Sequence, residues 1–134
     1  ENNDPKAVDL MMDWAHGPAG HFGGHPVPGL YHLNTGSMLA QTREIKDTLG
    51  VDFRACDNYK NGFEAAKKIK IPTLSILATG DKMCPVKEGK KLASHIVSSE
   101  VEIIDNCGHM MLLEEADQVL KVLKKFILKH YPAK

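Results

Sequence analysis

A chain of 134 residues has room for one domain with a core of its own. Its 17 basic residues balance its 17 acidic ones, which speaks against nucleic acid or an anionic membrane surface as the main partner. No apolar run approaches the ~20 residues that span a bilayer, and three cysteines (Cys56, Cys84, Cys107) without a CxxC pair read as reduced thiols in the cytoplasm.

No basic start followed by an apolar secretory segment opens the chain. The first residue is Glu1, so a cut N-terminus is expected. Asp4-Pro5 is an N-cap and first helical residue, followed by a helix with Val8, Met11, Trp14 and Ala15 on its apolar side. His16 to Gly36 is rich in Gly, Pro and His and reads as loop. A second helix is predicted from Ser37 to Leu49, with Met38, Thr42, Ile45 and Leu49 on one stripe and Gly50 ending it. Two short helices follow, Asp52–Tyr59 and Phe63–Ile69, broken at Asn61-Gly62. No strand signal is present in this first half.

After Lys70 the pattern changes. Ile71–Ala78 is a near-continuous apolar run with the length of a strand buried on both faces. Val86–Val97 is an amphipathic helix with Leu92, Ala93 and Ile96 inward, and Val101–Ile104 is a second strand. Ala116–His130 closes the chain as a helix whose Val119, Val122, Leu123, Phe126 and Ile127 face the core. Strand, helix, strand, helix at this spacing predicts parallel strands joined by a right-handed crossover. Two parallel strands do not complete a sheet, and the edge of the first demands a partner.

Both strands end in a loop that carries an acid–base residue. Asp81 follows the first and His109 the second. In a βαβ unit such loops leave the same side of the sheet, where open parallel sheets build their sites. Asp81 is therefore expected within hydrogen-bonding reach of His109. A carboxylate on one imidazole nitrogen fixes the tautomer, and the other nitrogen is free to take a proton from a hydroxyl nucleophile.

These segments resemble the α/β-hydrolase superfamily. Ile71-Pro-Thr-Leu-Ser-Ile-Leu77 and Asp81-Lys-Met-Cys-Pro-Val-Lys-Glu-Gly-Lys-Lys-Leu-Ala93 are similar to its penultimate core strand, acid loop and following helix. Asn106-Cys-Gly-His-Met-Met-Leu-Leu-Glu-Glu115 is similar to its histidine loop. The resemblance implies an α/β fold: the C-terminal portion of an α/β-hydrolase, a helical cap segment (1–70) followed by a β-α-β-α unit with two parallel strands (71–134). It makes Asp81 the triad acid and His109 the triad base, and it implies no cofactor. Asp52-Phe-Arg-Ala-Cys-Asp-Asn-Tyr59 is similar to a cap helix of lipase- or esterase-like members.

The family's nucleophile elbow, Gly-x-Ser-x-Gly, is not in the chain. Ser37 in Thr-Gly-Ser-Met-Leu has no strand before it and no glycine two positions on. Ser75 is placed within a strand, and Ser94, Ser98 and Ser99 at or beyond the end of an outer helix. The elbow, the oxyanion hole and the earlier strands are expected before residue 1, and the isolated chain is expected to be inactive.

Other residues compete for roles. His16, His21, His25 and His32 crowd the Gly-rich loop, but their spacings of five, four and seven match no common zinc pattern, and no metal site is assigned. Cys84 and Cys107 flank the acid and the histidine; a thiolate there would be a nucleophile, although filling tight loops explains both residues. Met83, Met110 and Met111 are candidates to line an apolar or acyl pocket. Glu114 and Glu115 are read as favouring the start of the last helix through its dipole.

The expected function is thus that of part of a serine hydrolase. The full enzyme attacks a small-molecule carboxylic ester, with an amide as the lesser alternative, through an acyl-serine, and the partner N-terminal half supplies the serine. The rival is a non-catalytic hydrolase-derived module for binding or oligomerisation, in which a second copy pairs at the exposed strand edge.

Overall fold

The computed structural model describes residues 5–17, 21–22, 25–26, 36 and 48–132. Helix α1 runs over Pro5–Ala15. Proline suits its first turn, where its missing N–H removes no helical bond. Met11, Met12 and Ala15 are buried, while Trp14, placed on the apolar side by its spacing, stays 48 % exposed.

Two-residue strands β1 (His21–Phe22) and β2 (His25–Pro26) pair antiparallel, where the sequence predicted loop alone. Two residues per strand are too few to write the alternation from which strands are read. The predicted helix from Ser37 lies, up to residue 47, outside the described residues. Helix α2 spans Thr48–Asn58 and passes through Gly50, which was expected to end a helix. A helical glycine costs only about 1 kcal/mol against alanine, which an 11-residue helix absorbs. Helix α3 is shorter than predicted, Gly62–Ala66.

Strands β3 (Thr73–Ala78) and β4 (Ser99–Ile104) pair in parallel, in register from Thr73 opposite Ser99 to Ala78 opposite Ile104. Ser99, beyond the end of the preceding helix, thus begins β4, which was expected to start at Val101. Helix α4 (Val86–Ala93) connects the strands, and the short α5 (Met111–Glu114) and long α6 (Ala116–His130) follow. A Cβ on Gly89 would stand 2.4 Å from Leu77 Cδ2, so α4 lies close upon β3. The inward face of this connection carries Gly89, Ala93 and Ile96, whereas Leu92, predicted inward, is 43 % exposed. The small residues allow the close approach, and the turn of the helix that brings them inward carries Leu92 out.

Ala78, Ile104, Cys107 and Val119 form the buried centre, with Ile76 and Met111 packed against it. This cluster sits at the carboxyl ends of both strands, directly beneath the loops that follow them. Farther from it burial thins out. Thr73 to Ile76 are half-buried, and Leu123 and Ile127 of α6, predicted to face the core, are exposed. Glu100 of β4 accepts hydrogen bonds from Lys129 Nζ (2.9 Å) and His130 Nε2, which fasten the end of α6 to the strand.

Candidate catalytic site

The loops after β3 and β4 are tied together before either reaches its polar residue. Thr79 N donates to Ile104 O (3.0 Å) and Gly80 N to Cys107 O (2.9 Å). Asn106 N donates to Thr79 Oγ1 (3.1 Å). Asn106 turns the second loop at φ 61°, a left-handed conformation that asparagine tolerates better than most side chains.

Held in this way, Asp81 and His109 meet across 28 positions of sequence, with Nδ1 2.9 Å from Oδ2. An ionised carboxylate only accepts, so Nδ1–H is the donor. The other carboxylate oxygen, Oδ1, accepts from Met83 N and Cys84 N at 2.8 Å each. Three donors therefore fix the Asp81 side chain, which is 4 % exposed, while that of His109 is 44 % exposed. The acid is anchored and the imidazole is accessible. Nε2, on the opposite side of the ring from Asp81, is the nitrogen available to a hydroxyl.

The two flanking thiols are poor nucleophiles. Burial pushes Cys107 up to about 11, helped by Glu114, Glu115, Asp81 and Asp105. Partial burial of its sulfur, then Asp81 and Glu88, raises the Cys84 thiol as well. Both are protonated at neutral pH. Cys107 is fully buried, and all three cysteines are free. Of the other serines, Ser75 Oγ lies 3.5 Å from Ser99 Oγ inside the sheet, and Ser94 Oγ donates to Lys91 O on α4.

A cavity of about 390 Å³ adjoins the acid loop. Ala7, Leu10, Met11 and Trp14 of α1, Phe53 of α2, and Lys82 and Met83 line it. Met83 is thus in an apolar pocket. Met111 packs into the core instead, and Met110 N donates to Ala15 O (3.0 Å). His16 is buried with Nδ1 donating to Met12 O (2.9 Å). His32 lies outside the described residues. Among the described residues, no three His, Cys, Asp or Glu side chains converge on a common point.

Glu114, expected to favour the start of the last helix, turns its side chain inward, and the residue is 0 % exposed. Its Oε2 accepts from Gly17 N (2.8 Å) and Gly108 N (3.0 Å). The available signal was a carboxylate at the end of the apolar run Met110–Leu113; its partners are backbone groups, which no residue letter marks.

No family model matches the chain. Over 67 residues, 50 % of the chain, it is 36 % identical to a proline iminopeptidase of Lactobacillus crispatus (strain ST1), covering 22 % of that protein. Over 60 residues, 45 % of the chain, it is 37 % identical to the monoacylglycerol lipase ABHD6 of Bos taurus, covering 18 % of it. The structure of a thermophilic esterase superposes with a TM-score of 0.73 at 30 % identity, over 95 % of this chain and 47 % of that one. A membrane phospholipase A shares the fold with a TM-score of 0.72 at 18 % identity, over 98 % of this chain and 40 % of the other. The chain thus spans under half of these structures, and its matches cover about a fifth of the curated relatives.

Proposed function

We propose, for a chain that belongs to the α/β-hydrolase fold superfamily and spans part of that fold, that it supplies the acid and the base of a serine hydrolase acting on carboxylic esters. The hydrogen bond between His109 Nδ1 and Asp81 Oδ2 carries this reading. A serine hydroxyl from outside the chain attacks the ester carbonyl while His109 Nε2 takes its proton. Asp81 holds the tautomer and stabilises the imidazolium, without itself being protonated. The proton then passes to the leaving alkoxide, and water, activated by the same nitrogen, releases the acid from the acyl-serine.

The apolar cavity beside the acid loop suits an acyl or alkyl group of the substrate. Residues 1–70 act as the cap over the site and 71–134 as the core portion that delivers acid and base. Ser75, Ser94 and Ser99 are engaged elsewhere, which supports a nucleophile and oxyanion hole from the remaining part of the fold.

The test is turnover of p-nitrophenyl acetate together with labelling by a serine-reactive fluorophosphonate. The 134-residue chain alone is expected to give neither. Joined to upstream sequence containing a Gly-x-Ser-x-Gly turn, it is expected to give both, and His109→Ala in that protein to lose turnover by about three orders of magnitude or more. Serine-specific labelling of the isolated chain would refute the proposal.

A second reading has one observation in its favour. Val101 and Ile103 of β4 and Leu120, Ile127 and Leu128 of α6 are exposed apolar residues beside an unfinished sheet. A non-catalytic module would cover them with a second copy; the hydrolase covers them with the rest of its fold. Sedimentation of the isolated chain as a stable dimer favours the module.

A further inference from the structure

Glu114 is the fully buried carboxylate that the relay does not use. Its Oε1 is buried too, with no hydrogen-bond partner among the described residues. An apolar side chain at this position would avoid the desolvation of a carboxylate, so packing alone does not explain a glutamate. The groups it faces do. Gly17 N lies just past the end of α1, and Gly108 N belongs to the residue immediately before His109.

The surroundings of this carboxylate leave its partners little freedom. A Cβ on Gly108 would stand 2.4 Å from Gly17 N and 2.5 Å from His16 C, and one on Gly17 would stand 2.4 Å from Glu114 Oε2. The two backbones therefore touch, which only glycines allow. Around this contact the last carbonyls of α1 accept from both catalytic-type loops: Trp14 O from Lys82 N (3.4 Å) and Ala15 O from Met110 N (3.0 Å). Two backbone amides pressed together in a dry place need an acceptor, and Glu114 provides one oxygen to both.

We infer that Glu114 is a positioning residue for His109: its carboxylate locks the histidine loop onto the end of α1 through the amides of Gly17 and Gly108. The inference rests on the reading of His109 as the base. A displacement of about 1 Å at a reacting group is enough to cost a large factor in rate, and Gly108 is the last point of attachment before the imidazole. The lock also joins the base to α1, the helix whose Leu10, Met11 and Trp14 line the apolar cavity.

The test uses NMR on the 134-residue chain. It reads amide exchange at Gly17 and Gly108, and the His109 tautomer from long-range proton–nitrogen correlations. Glu114→Gln keeps an acceptor oxygen and is expected to preserve slow amides and the Nδ1–H tautomer. Glu114→Asp withdraws the acceptor by one methylene. It is expected to speed exchange at both glycines roughly tenfold or more and to replace the single tautomer by a mixture, while β3 and β4 amides exchange as before. The inference is overturned if Glu114→Asp frees both amides yet leaves the tautomer unchanged, or if it loosens β3 and β4 as much as the two glycines. If Glu114→Asp does not fold, Glu114→Gln decides: retention of both readouts supports the lock, and a lost tautomer with slow amides refutes it. Asp81→Asn separates the underlying reading. It is expected to disturb the tautomer and leave both amides slow; an unchanged tautomer sinks the relay while the lock is still judged on the amides.

Discussion

Residues 73–130 carry the Asp81–His109 pair and residues 5–17 end against its loops, and the two regions hold it by different means. The first region is a β-α-β-α unit whose side chains build a core, with Ala78, Ile104, Cys107 and Val119 under the strand ends. The second is a helix whose end meets the same loops chiefly through backbone atoms, the carbonyls of Trp14 and Ala15 and the amide of Gly17, with an exposed Asp13–Lys82 ion pair beside them. One region brings Asp81 and His109 together. The other ties down the loops that carry them. Damage to the first should therefore unfold the site together with the sheet, whereas damage to the second should loosen the site and spare the sheet.

The largest effect should come from the core. Ile104→Ala, at a residue 2 % exposed, should destabilise the chain by about 2–5 kcal/mol in denaturant titration, with the sheet and the Asp81–His109 hydrogen bond disappearing in one transition. Survival of the sheet with a displaced histidine would break this division of labour.

Two glycines sharpen it. Gly108→Ala should cost about 1–3 kcal/mol, because the new Cβ meets the backbone of Gly17, His16 and Ala15, which cannot rotate away. The loss should register first as faster amide exchange around α1. Gly89→Ala puts its Cβ equally close to Leu77, but against the tip of a side chain. Repacking Leu77 is offset by the ~1 kcal/mol that alanine gains in a helix, so the net change should be about 0–2 kcal/mol.

Smaller effects follow from titration. The folded state holds the Cys107 thiol at about 11 against an ordinary 9.0. The folded chain thus keeps a proton that the unfolded chain gives up. Its contribution to stability is complete below pH 9.0 and disappears as pH rises towards 11. Cys107→Ala should flatten this alkaline slope, and native-state alkylation should reach Cys56 and Cys84 before Cys107. The smallest effect belongs to Glu100, whose carboxyl the hydrogen bonds from His130 and Lys129 hold below the ordinary 4.5. Its stabilisation is present above pH 4.5 and fades as pH falls through the lowered value. Solvent screens this half-buried surface pair, so Glu100→Gln should leave stability nearly unchanged at neutral pH, and a carboxyl NMR titration should find the low midpoint.

The same contrast explains what is legible in the sequence. In the C-terminal unit, the apolar run before Ala78 and the spacing of Val119, Val122 and Phe126 announce strand and helix, because a covered strand is apolar throughout and a helix packed on one side repeats its apolar residues every three or four positions. The edges of those patterns mislead where no neighbour covers them, as at Leu92 and Ile127. In the first half the legible feature is the amphipathic α1, while the ladder of His21–Phe22 with His25–Pro26 leaves no pattern. Gly50 reads as a stop because a glycine's local preference is visible in sequence and the helix that overrides it is not.

The parallel β-α-β unit and the loops that carry Asp81 and His109 follow from the residue pattern, since apolar runs and strand order leave few alternatives for where those loops emerge. That Glu114 faces inward, that Gly17 and Gly108 touch, and that α1 ends against both loops follows from the packing of distant segments. In those contacts one carboxylate and the carbonyls of α1 meet backbone amides, which every residue but proline carries alike; which amides they meet depends on the segments the fold brings together.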